Sequence, residues 1–435
     1  MSDGERTGEW QPGHLRRVVL ASLIGTTIEW YDFFLYGSAA ALVFNKLFFP
    51  EFEPLTGTLL AFTTYALGFI ARPIGGIVFG HFGDRIGRKR LLMLSLVLMG
   101  VATTLIGFLP TYARIGAWAP VLLVALRLVQ GFAVGGEWGG AVLLAAEHGD
   151  SKRRGFWASW PQAGVPAGNL LAAGVLAVLA GRLSDADFLA WGWRIPFLLS
   201  AVLVAVGWWI RTSVAESRTF EQERESEPPP KVPALDVLRE RPRSLLTGAG
   251  LRVGENISYY IITTFSITYM TEAGHLSKAQ ALEAILVGAA IHFCAIPALG
   301  RLSDAIGRRP VYAAGALGLA GFSFLFFRLL GSGEMGQAIV AIVVALLLHG
   351  AMYGPQAAFI AELFPTRIRY SGASIAYQLT SIVAGSLAPI IAVWLYHLEK
   401  SWLPVALYVA GACLISAVAA LLARETRGVD LNAIR

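Results

Sequence analysis

The sequence predicts an all-α membrane protein in which twelve transmembrane helices form two pseudo-symmetric six-helix bundles. Three observations predict this fold: long apolar stretches, a one-sided distribution of basic residues and a repeated loop motif. Of the 435 residues, 55% are hydrophobic and only 15% are charged, whereas an average soluble chain carries about 25% charged residues. A water-exposed surface would need that missing charge, so the composition argues against a soluble globular protein. The 47 glycines suit closely packed transmembrane helices.

Twelve apolar stretches are separated by short polar turns, and a spanning helix needs about 20 such residues. They fall at 16–45, 55–81, 90–110, 118–148, 155–180, 193–212, 245–272, 278–300, 310–331, 336–364, 369–397 and 403–424. The first contains acidic residues and has no small-residue cleavage site behind it. It therefore predicts a span rather than a signal peptide.

Lysines and arginines near the ends of the spans predict their orientation. In the predicted loops and termini, 25 of them fall on one side of the membrane and 7 on the other. This asymmetry predicts that both termini are cytoplasmic. Because the net charge of +6 then follows from topology, we expect the lipid bilayer as a partner and no nucleic acid.

One long hydrophilic break divides the twelve spans into six and six. It predicts an N-terminal bundle at 1–211, a cytoplasmic linker at 212–243 and a C-terminal bundle at 244–435. Residues 80–90, GHFGDRIGRKR, recur as residues 300–310, GRLSDAIGRRP, between the second and third spans of each half. Matching signals in matching loops indicate an internal repeat.

A second echo supports the repeat. Glu147 and Arg154 in the first half have counterparts in Glu362 and Arg369 in the second half.

Six motifs resemble the major facilitator superfamily and, within it, the metabolite:proton symporter branch. That branch holds carriers for shikimate, 2-oxoglutarate, citrate, and proline or betaine, and the shikimate type is the most similar. Besides residues 80–90, the motifs are IEWYDFF at 28–34, RPIGG at 72–76, QGFAVGGEWGG at 130–140, WGWRIPF at 191–197 and FPTRIRYSG at 364–372. The resemblance covers nearly the whole chain. It implies a multi-pass protein of the cell (inner) membrane that works by alternating access without a cofactor, and we expect a monomer.

The repeated loop is predicted to act as a gate, because in the superfamily it closes the cytoplasmic side. A carboxylate at Asp84 can meet the positive N-terminus of another helix. A purely topogenic role would explain the arginines but not Asp84 or the glycines. In the second copy Ser303 and Ala305 depart from the pattern, so we expect a weaker contact there. The predicted gating residues are Gly80, Gly83, Asp84, Arg85, Gly87, Arg88, Asp304 and Arg308.

Four charged residues inside the spans are candidates for proton coupling. A charge at the bilayer centre costs at least about 2.5–3.5 kcal/mol, so it marks a functional site. Glu29 and Asp32 lie three residues apart on one helix face, and neighbouring carboxylates favour uptake of a proton. Asp32 is the preferred carrier. Arg127 resembles a position linked to proton coupling in the superfamily, and Glu137 shares a broad face with it. The alternatives are a structural ion pair of Glu29 or Asp32 with Arg127 or Arg72, and a packing role for Glu137.

Arg72 is the main candidate for binding substrate. It lies near mid-membrane, and a guanidinium can hold a carboxylate through two parallel hydrogen bonds. The repeat offset of 220 residues places His292 opposite it. Polar residues at mid-span complete the predicted site: Glu255, Asn256, Tyr259, Tyr260, Tyr353, Gln356 and Gln378. For any one of them the alternative is an interhelical hydrogen bond worth about 0.6 kcal/mol.

These features predict a proton-coupled symporter that imports a small organic acid, such as a shikimate-like carboxylate. The alternative is proton-coupled uptake of a zwitterionic osmolyte such as proline or betaine. No Walker loop, clustered metal ligands or nucleophile motif stands in the sequence. We therefore expect the proton gradient as the energy source, no metal, and no enzymatic activity.

Overall fold

The computed structural model of the protein describes residues 12–148, 151–212, 233–431 and 434. In this part of the chain there is no strand, and twelve long helices follow one another. They are α1 Pro12–Ala39, α2 Pro54–Ile86, α3 Arg88–Phe108, α4 Trp118–His148, α5 Arg154–Arg182, α6 Arg194–Thr212, α7 Pro242–Tyr260 with Ile261–Phe265 and Ser266–Glu272, α8 Lys278–Ile306, α9 Arg308–Leu330, α10 Met335–Ala361, α11 Arg369–Ser381 with Ile382–Ser386 and Ala388–Glu399, and α12 Leu403–Leu422.

Short elements extend or connect these helices. The helix α1 continues into a π-helical turn and a last short turn, and π-helical turns also interrupt α7 and α11. Most of the predicted linker at 212–243 lies outside the described residues, but its last part is a helix. The short elements are Ala40–Phe44, Asn45–Leu47, Tyr112–Ile115, Ser151–Arg153, Asp185–Asp187, Phe188–Gly192, Pro233–Glu240 and Thr366–Ile368.

Nine of the helices in the described residues are long and apolar enough to cross a membrane. A tenth span arises if Asp185–Gly192 and Arg194–Ile210, bent by 44°, are taken together. The two remaining predicted spans, 155–180 and 245–272, are helical as α5 and α7, and the first part of α7 is more polar than the other long helices. Both pack against several other helices, so their polar faces need not meet lipid.

The helices pack as two groups of six that meet along a central seam. In the first group α2 packs on α4, α1 on α5, and α3 on both α4 and α6. In the second, α10 packs on α8 and α9, and α12 packs on α7 and α9. Across the seam, α5 contacts α8 and α10, while α11 contacts α2 and α4. Side chains of these helices therefore meet between the two bundles.

Glycines allow α2 and α4 to cross in close contact. A Cβ added at Gly135 would stand 2.1 Å from the carbonyl oxygen of Arg72, and one at Gly131 would stand 2.1 Å from that of Gly68. We expect Gly135→Ala to lower the midpoint of thermal unfolding in detergent, because overpacking costs about 1–3 kcal/mol. Gly174→Ala is the matched control, since nothing lies within 4 Å of its added Cβ. Equal midpoints for the two variants would contradict a tight crossing.

Candidate functional site

The first part of the candidate site is a closed chamber within the N-terminal bundle, here called the N-terminal chamber. Its wall is formed by Glu29, Asp32, Phe33, Arg72, Met99, Arg127, Gln130, Gly131 and Val134. The free space is about 10 Å³, which is about what one water needs. Two acidic and two basic side chains therefore face one another out of contact with bulk solvent.

Asp32 is held in this chamber by two hydroxyl donors. Thr103 donates to its Oδ2 at 2.8 Å and Ser200 donates to its Oδ1 at 2.7 Å. The carboxylate is 2% exposed. Because α3 and α6 supply these two donors, Asp32 ties α1 to both helices.

Arg127 reaches Asp32 indirectly. Its Nη1 donates to Gln130 at 3.3 Å, and the amide of Gln130 donates to Thr103 at 2.6 Å. The guanidinium also lies 4.3 Å from the ring centroid of Tyr36. The predicted alternative of a direct ion pair between Arg127 and Asp32 is not formed, and a relay of two polar side chains takes its place.

Arg72 points its guanidinium at aromatic rings. The ring centroids of Phe69, Phe33 and Trp30 lie 4.5, 4.7 and 5.9 Å from its Cζ. These contacts fix the plane of the guanidinium by stacking and cation–π attraction. The side chain is 5% exposed, so its orientation is set before any ligand arrives.

The second part of the site is a chamber on the seam, here called the C-terminal chamber. Most of its wall comes from the C-terminal bundle, and α1 and α5 supply one residue each. The wall consists of Trp30, Val165, Arg252, Glu255, Asn256, Tyr259, Tyr260, His349, Tyr353 and Tyr377. Its free space is also about 10 Å³. Since Trp30 contacts Arg72, the two chambers are neighbours.

Arg252 and Glu255 form a buried ion pair in the C-terminal chamber. The Arg252 guanidinium lies 3.6 Å from the ring centroid of Tyr377. Glu255 also contacts His349 Nε2 at 3.1 Å and accepts a hydrogen bond from Gln356 at 3.2 Å. A buried ion pair is stable only with such additional partners, because both charges have left water.

Aromatic and amide contacts across the seam close the chamber on one side. The rings of Trp138 and Tyr377 stack with centroids 3.7 Å apart. The indole of Trp138 donates to Gln162 at 2.5 Å, and the Gln162 amide donates to the carbonyl of Tyr353 at 3.3 Å. Each bundle supplies two of these four residues, so the layer must separate before a path can open here.

Two carboxylates close the end of the bundles that carries the repeated loops, here called the basic end. Asp84 accepts hydrogen bonds from the backbone N–H groups of Tyr370 and Ser371, at 3.1 and 2.9 Å. Asp304 accepts from those of Gly155 and Phe156, at 2.8 and 2.9 Å. Each carboxylate thus meets the N-terminus of a helix in the opposite bundle, where the helix dipole favours negative charge.

The glycines of the gating loop allow close packing and a sharp turn between consecutive helices. A Cβ at Gly83 would stand 2.0 Å from the Tyr370 ring. Gly87 and Gly307 take φ angles of 108° and 112° between consecutive helices, which favour glycine. Gly80 packs on Ser371, Arg85 is exposed with His81 3.4 Å from its Nη1, and Arg88 begins α3.

Two ion pairs cross the seam beside these carboxylates. Arg154 pairs with Glu362 at 2.8 Å, and Arg369 pairs with Glu147 at 2.9 Å. Each arginine of the sequence echo therefore pairs with the glutamate of the other repeat. The sequence echo does not predict these pairs, because a sequence offset does not specify which residues become partners.

The second copy of the loop makes further contacts within its own bundle. Arg308 contacts both Asp304, at 2.6 Å, and Ser303, at 2.7 Å. It also lies 3.4 Å from Glu362. Ser303, one of the two residues that depart from the first copy, thus supplies an acceptor for Arg308.

The structure brings most of the predicted site residues together, but not all. Glu29, Asp32, Arg72 and Arg127 share the N-terminal chamber. Glu255, Asn256, Tyr259, Tyr260 and Tyr353 share the C-terminal chamber.

The other four lie outside both walls. Ser95 donates to Glu137 at 2.7 Å, Gln378 donates to the carbonyl of Gly135 at 3.1 Å, and His292 and Gln356 lie behind the wall. His349 and Tyr377, polar side chains of the tenth and eleventh predicted spans, also line the wall, as do Trp30 and Arg252, which were not predicted. Of these, Arg252 carried a signal, namely a charge inside a span.

The family described as "Sugar (and other) transporter" matches residues 18–228 and 212–435. The shikimate transporter of Escherichia coli (strain K12) is 42% identical over 416 residues, covering 95% of each chain. The proline/betaine transporter of Salmonella typhimurium (strain LT2) is 33% identical and covers 97% of this chain and 85% of its own.

Among solved structures, the proton:xylose symporter XylE bound to 6-bromo-6-deoxy-D-glucose is similar, with a TM-score of 0.78. It is 19% identical and covers 97% of this chain and 98% of its own.

Proposed function

Because the chain belongs to the sugar (and other) transporter family, and so is a multi-pass membrane transporter of the major facilitator fold and not an enzyme, we propose that it imports a small organic acid together with protons. The observation that carries this proposal is the meeting of buried arginines and carboxylates in two adjoining closed chambers. Arginines attract a carboxylate substrate, and carboxylates take up protons. The similarity to a shikimate transporter supports a shikimate-like acid.

In this proposal the substrate carboxylate binds Arg72, while Asn256, Tyr259, Tyr260 and Tyr353 donate to or accept from its hydroxyl groups. Asp32 carries the proton, and Glu29 and Arg127 set the charge around it. Glu137 and Gln378, which lie outside the chambers, stabilise helix packing. Gln356 supports Glu255 from behind.

The proposal also covers the setting of the protein. The basic end faces the cytoplasm of a bacterial inner membrane, so that both termini are cytoplasmic. The protein is a monomer of two bundles, at 1–211 and 244–435, joined by a linker at 212–243. The bundles rotate relative to each other about the chambers. The contacts of Asp84 and Asp304 with the opposite bundle, here called the lock, hold the cytoplasmic side shut until the substrate and proton have bound.

Transport into proteoliposomes tests this function. We expect uptake of labelled shikimate against its gradient when the pH is lower outside, and loss of that accumulation on adding a protonophore. Accumulation that survives the protonophore would contradict proton coupling.

Uptake of a zwitterionic osmolyte is the second candidate. Five aromatic side chains line the C-terminal chamber, namely Trp30, Tyr259, Tyr260, Tyr353 and Tyr377, and aromatic faces bind quaternary ammonium groups. The similarity to a proline/betaine transporter also supports it. Betaine uptake that rises after hyperosmotic shock, without competition from shikimate, would select this candidate.

The lock predicts a graded effect of charge removal. We expect Asp84→Asn to open the basic end more often, because a charge at a helix N-terminus contributes about 0.3–2 kcal/mol. In a Cys294→Ser background with Ser159→Cys on the seam, labelling by a maleimide from the basic end should rise about 2- to 30-fold. Asp304→Asn should act similarly. Asp185→Asn, an exposed residue at the opposite end, is the matched control, and unchanged labelling in both lock variants would refute the lock.

A further inference from the structure

A chain of three ionisable side chains runs through the C-terminal bundle behind the chamber wall. Glu255 of α7 contacts His349 of α10, with 3.1 Å between Oε1 and Nε2. His349 in turn contacts His292 of α8, with 3.1 Å between Nδ1 and Nε2. The three residues are 2%, 0% and 1% exposed. They come from three helices, so the tertiary structure alone creates the chain.

The hydrogen positions in this chain are linked. A contact between two ring nitrogens holds only if one of them carries a proton and the other does not. When Glu255 is ionised, His349 Nε2 carries the proton that it donates to the carboxylate. His349 Nδ1 then accepts, so His292 Nε2 carries the second proton. In this state both imidazoles are neutral.

Among the described residues, one permanent charge lies next to the chain. Arg252, on the same helix as Glu255, pairs with it and lines the C-terminal chamber. The other titratable groups facing the chain are phenols and one thiol: Tyr259 and Tyr260 from α7, Tyr312 from α9, Tyr353 from α10, Tyr377 from α11 and Cys413 from α12. Arg252, Glu255 and the two neutral imidazoles together carry no net charge.

We propose that Glu255, His349 and His292 form a second proton-binding site, which delivers a proton to Glu255 and thereby frees Arg252 to join Arg72 in binding the substrate carboxylate. A proton arrives at Nδ1 of His292, and the proton of His292 Nε2 passes to His349 Nδ1. The proton of His349 Nε2 then passes to Glu255 Oε1. One proton enters and one carboxylate becomes a carboxylic acid, while both imidazoles end neutral in the other tautomer.

This transfer couples proton and anion through charge balance. Neutral Glu255 no longer compensates Arg252, and an unpaired buried charge is strongly destabilising. An anion in the C-terminal chamber restores the balance, so that proton and substrate bind together. When the proton leaves, ionised Glu255 pairs with Arg252 again and the anion is released. This step rests on the proposed function, because it assumes an anionic substrate.

The first test needs no substrate. Infrared difference spectra of the purified protein between alkaline and acidic pH should contain the C=O stretch of a protonated carboxyl group that Glu255→Gln removes. His397→Gln, a change at an exposed histidine, should leave this band unchanged. A Glu255→Gln spectrum identical to the wild type would overturn the proposal.

The second test uses His292→Gln, which keeps a hydrogen-bonding amide but cannot relay a proton. With labelled shikimate as the probe, half-saturation of counterflow should require more shikimate than in the wild type, because Glu255 stays ionised and paired with Arg252. Accumulation should fall about tenfold for each pH unit of gradient, the contribution of one proton, whereas His397→Gln should accumulate as the wild type does. Wild-type accumulation in His292→Gln would overturn the proposal even if Glu255→Gln failed to fold.

The two tests separate this inference from the proposed function. If Glu255→Gln removes the infrared band but the wild type does not accumulate shikimate, the second proton site is supported and shikimate is rejected as the substrate. Accumulation by the wild type without such a band supports the proposed function and overturns the second proton site.

Discussion

Replacing Arg72 by alanine is expected to weaken shikimate binding about 30-fold or more. The guanidinium is buried and its plane is fixed by Phe33 and Phe69, so a bound carboxylate would meet an arginine that is already oriented. Truncating one partner of a buried, hydrogen-bonded charge pair costs about 2–5 kcal/mol, and each 1.4 kcal/mol is a factor of ten. Half-saturation of shikimate counterflow in proteoliposomes measures the effect.

The variant Arg72→Lys separates charge from geometry. Lysine keeps the positive charge but loses the planar pair of donors and the stacking on the rings, so we expect intermediate binding. Arg114→Ala, at an exposed arginine outside the chambers, is the matched control. If Arg72→Ala bound shikimate as tightly as the control does, Arg72 would not be a substrate contact.

Replacing Asp32 by asparagine is expected to uncouple transport from the proton gradient. Asparagine fills the same space and can accept from Thr103 or Ser200, but it cannot carry a proton. Each coupled proton contributes a factor of about ten to accumulation per pH unit of gradient. Accumulation of labelled shikimate should fall by that factor, while counterflow, which moves no net proton, should stay within a few-fold of the wild type.

The matched control for this variant is Asp185→Asn. Loss of both counterflow and accumulation in Asp32→Asn would mean that Asp32 binds substrate or supports the fold, and unchanged accumulation would exclude it as a carrier. If both Asp32→Asn and His292→Gln lower accumulation, combining them should give about the product of the two factors, since the residues lie in different bundles.

The membrane fold was predictable from the sequence because its signals are local. Apolar stretches and loop charges identified α1–α12 to within a few residues at most ends; α5, predicted at 155–180, is Arg154–Arg182. The prediction could not anticipate the π-helical turns in α7 and α11. Nothing in the apolar pattern marks where one extra residue is accommodated in a turn.

Two kinds of signal predicted residues that line the chambers. Asp32, Arg72 and Glu255 stood out because a charge inside a membrane span is costly, and Tyr259, Tyr260 and Tyr353 stood out because their hydroxyls lie at mid-span. Trp30 was not predicted, since aromatic residues are common in spans whether or not they line a cavity. His292 was predicted to line the site but lies behind the wall, because the repeat offset gives depth along a helix but not the direction of a side chain.

The sequence by itself therefore determined the number of helices, their division into two halves and the charges to be explained. Each of these features follows from the free energy of transferring one segment or one charge from water into the membrane, which does not depend on the other segments. Only the tertiary structure decided which charges become partners: Asp84 with the start of α11, Arg154 with Glu362, and Glu255 with His349. These pairs join residues far apart in the chain, and their strength depends on distances of about 3 Å that helix packing alone sets.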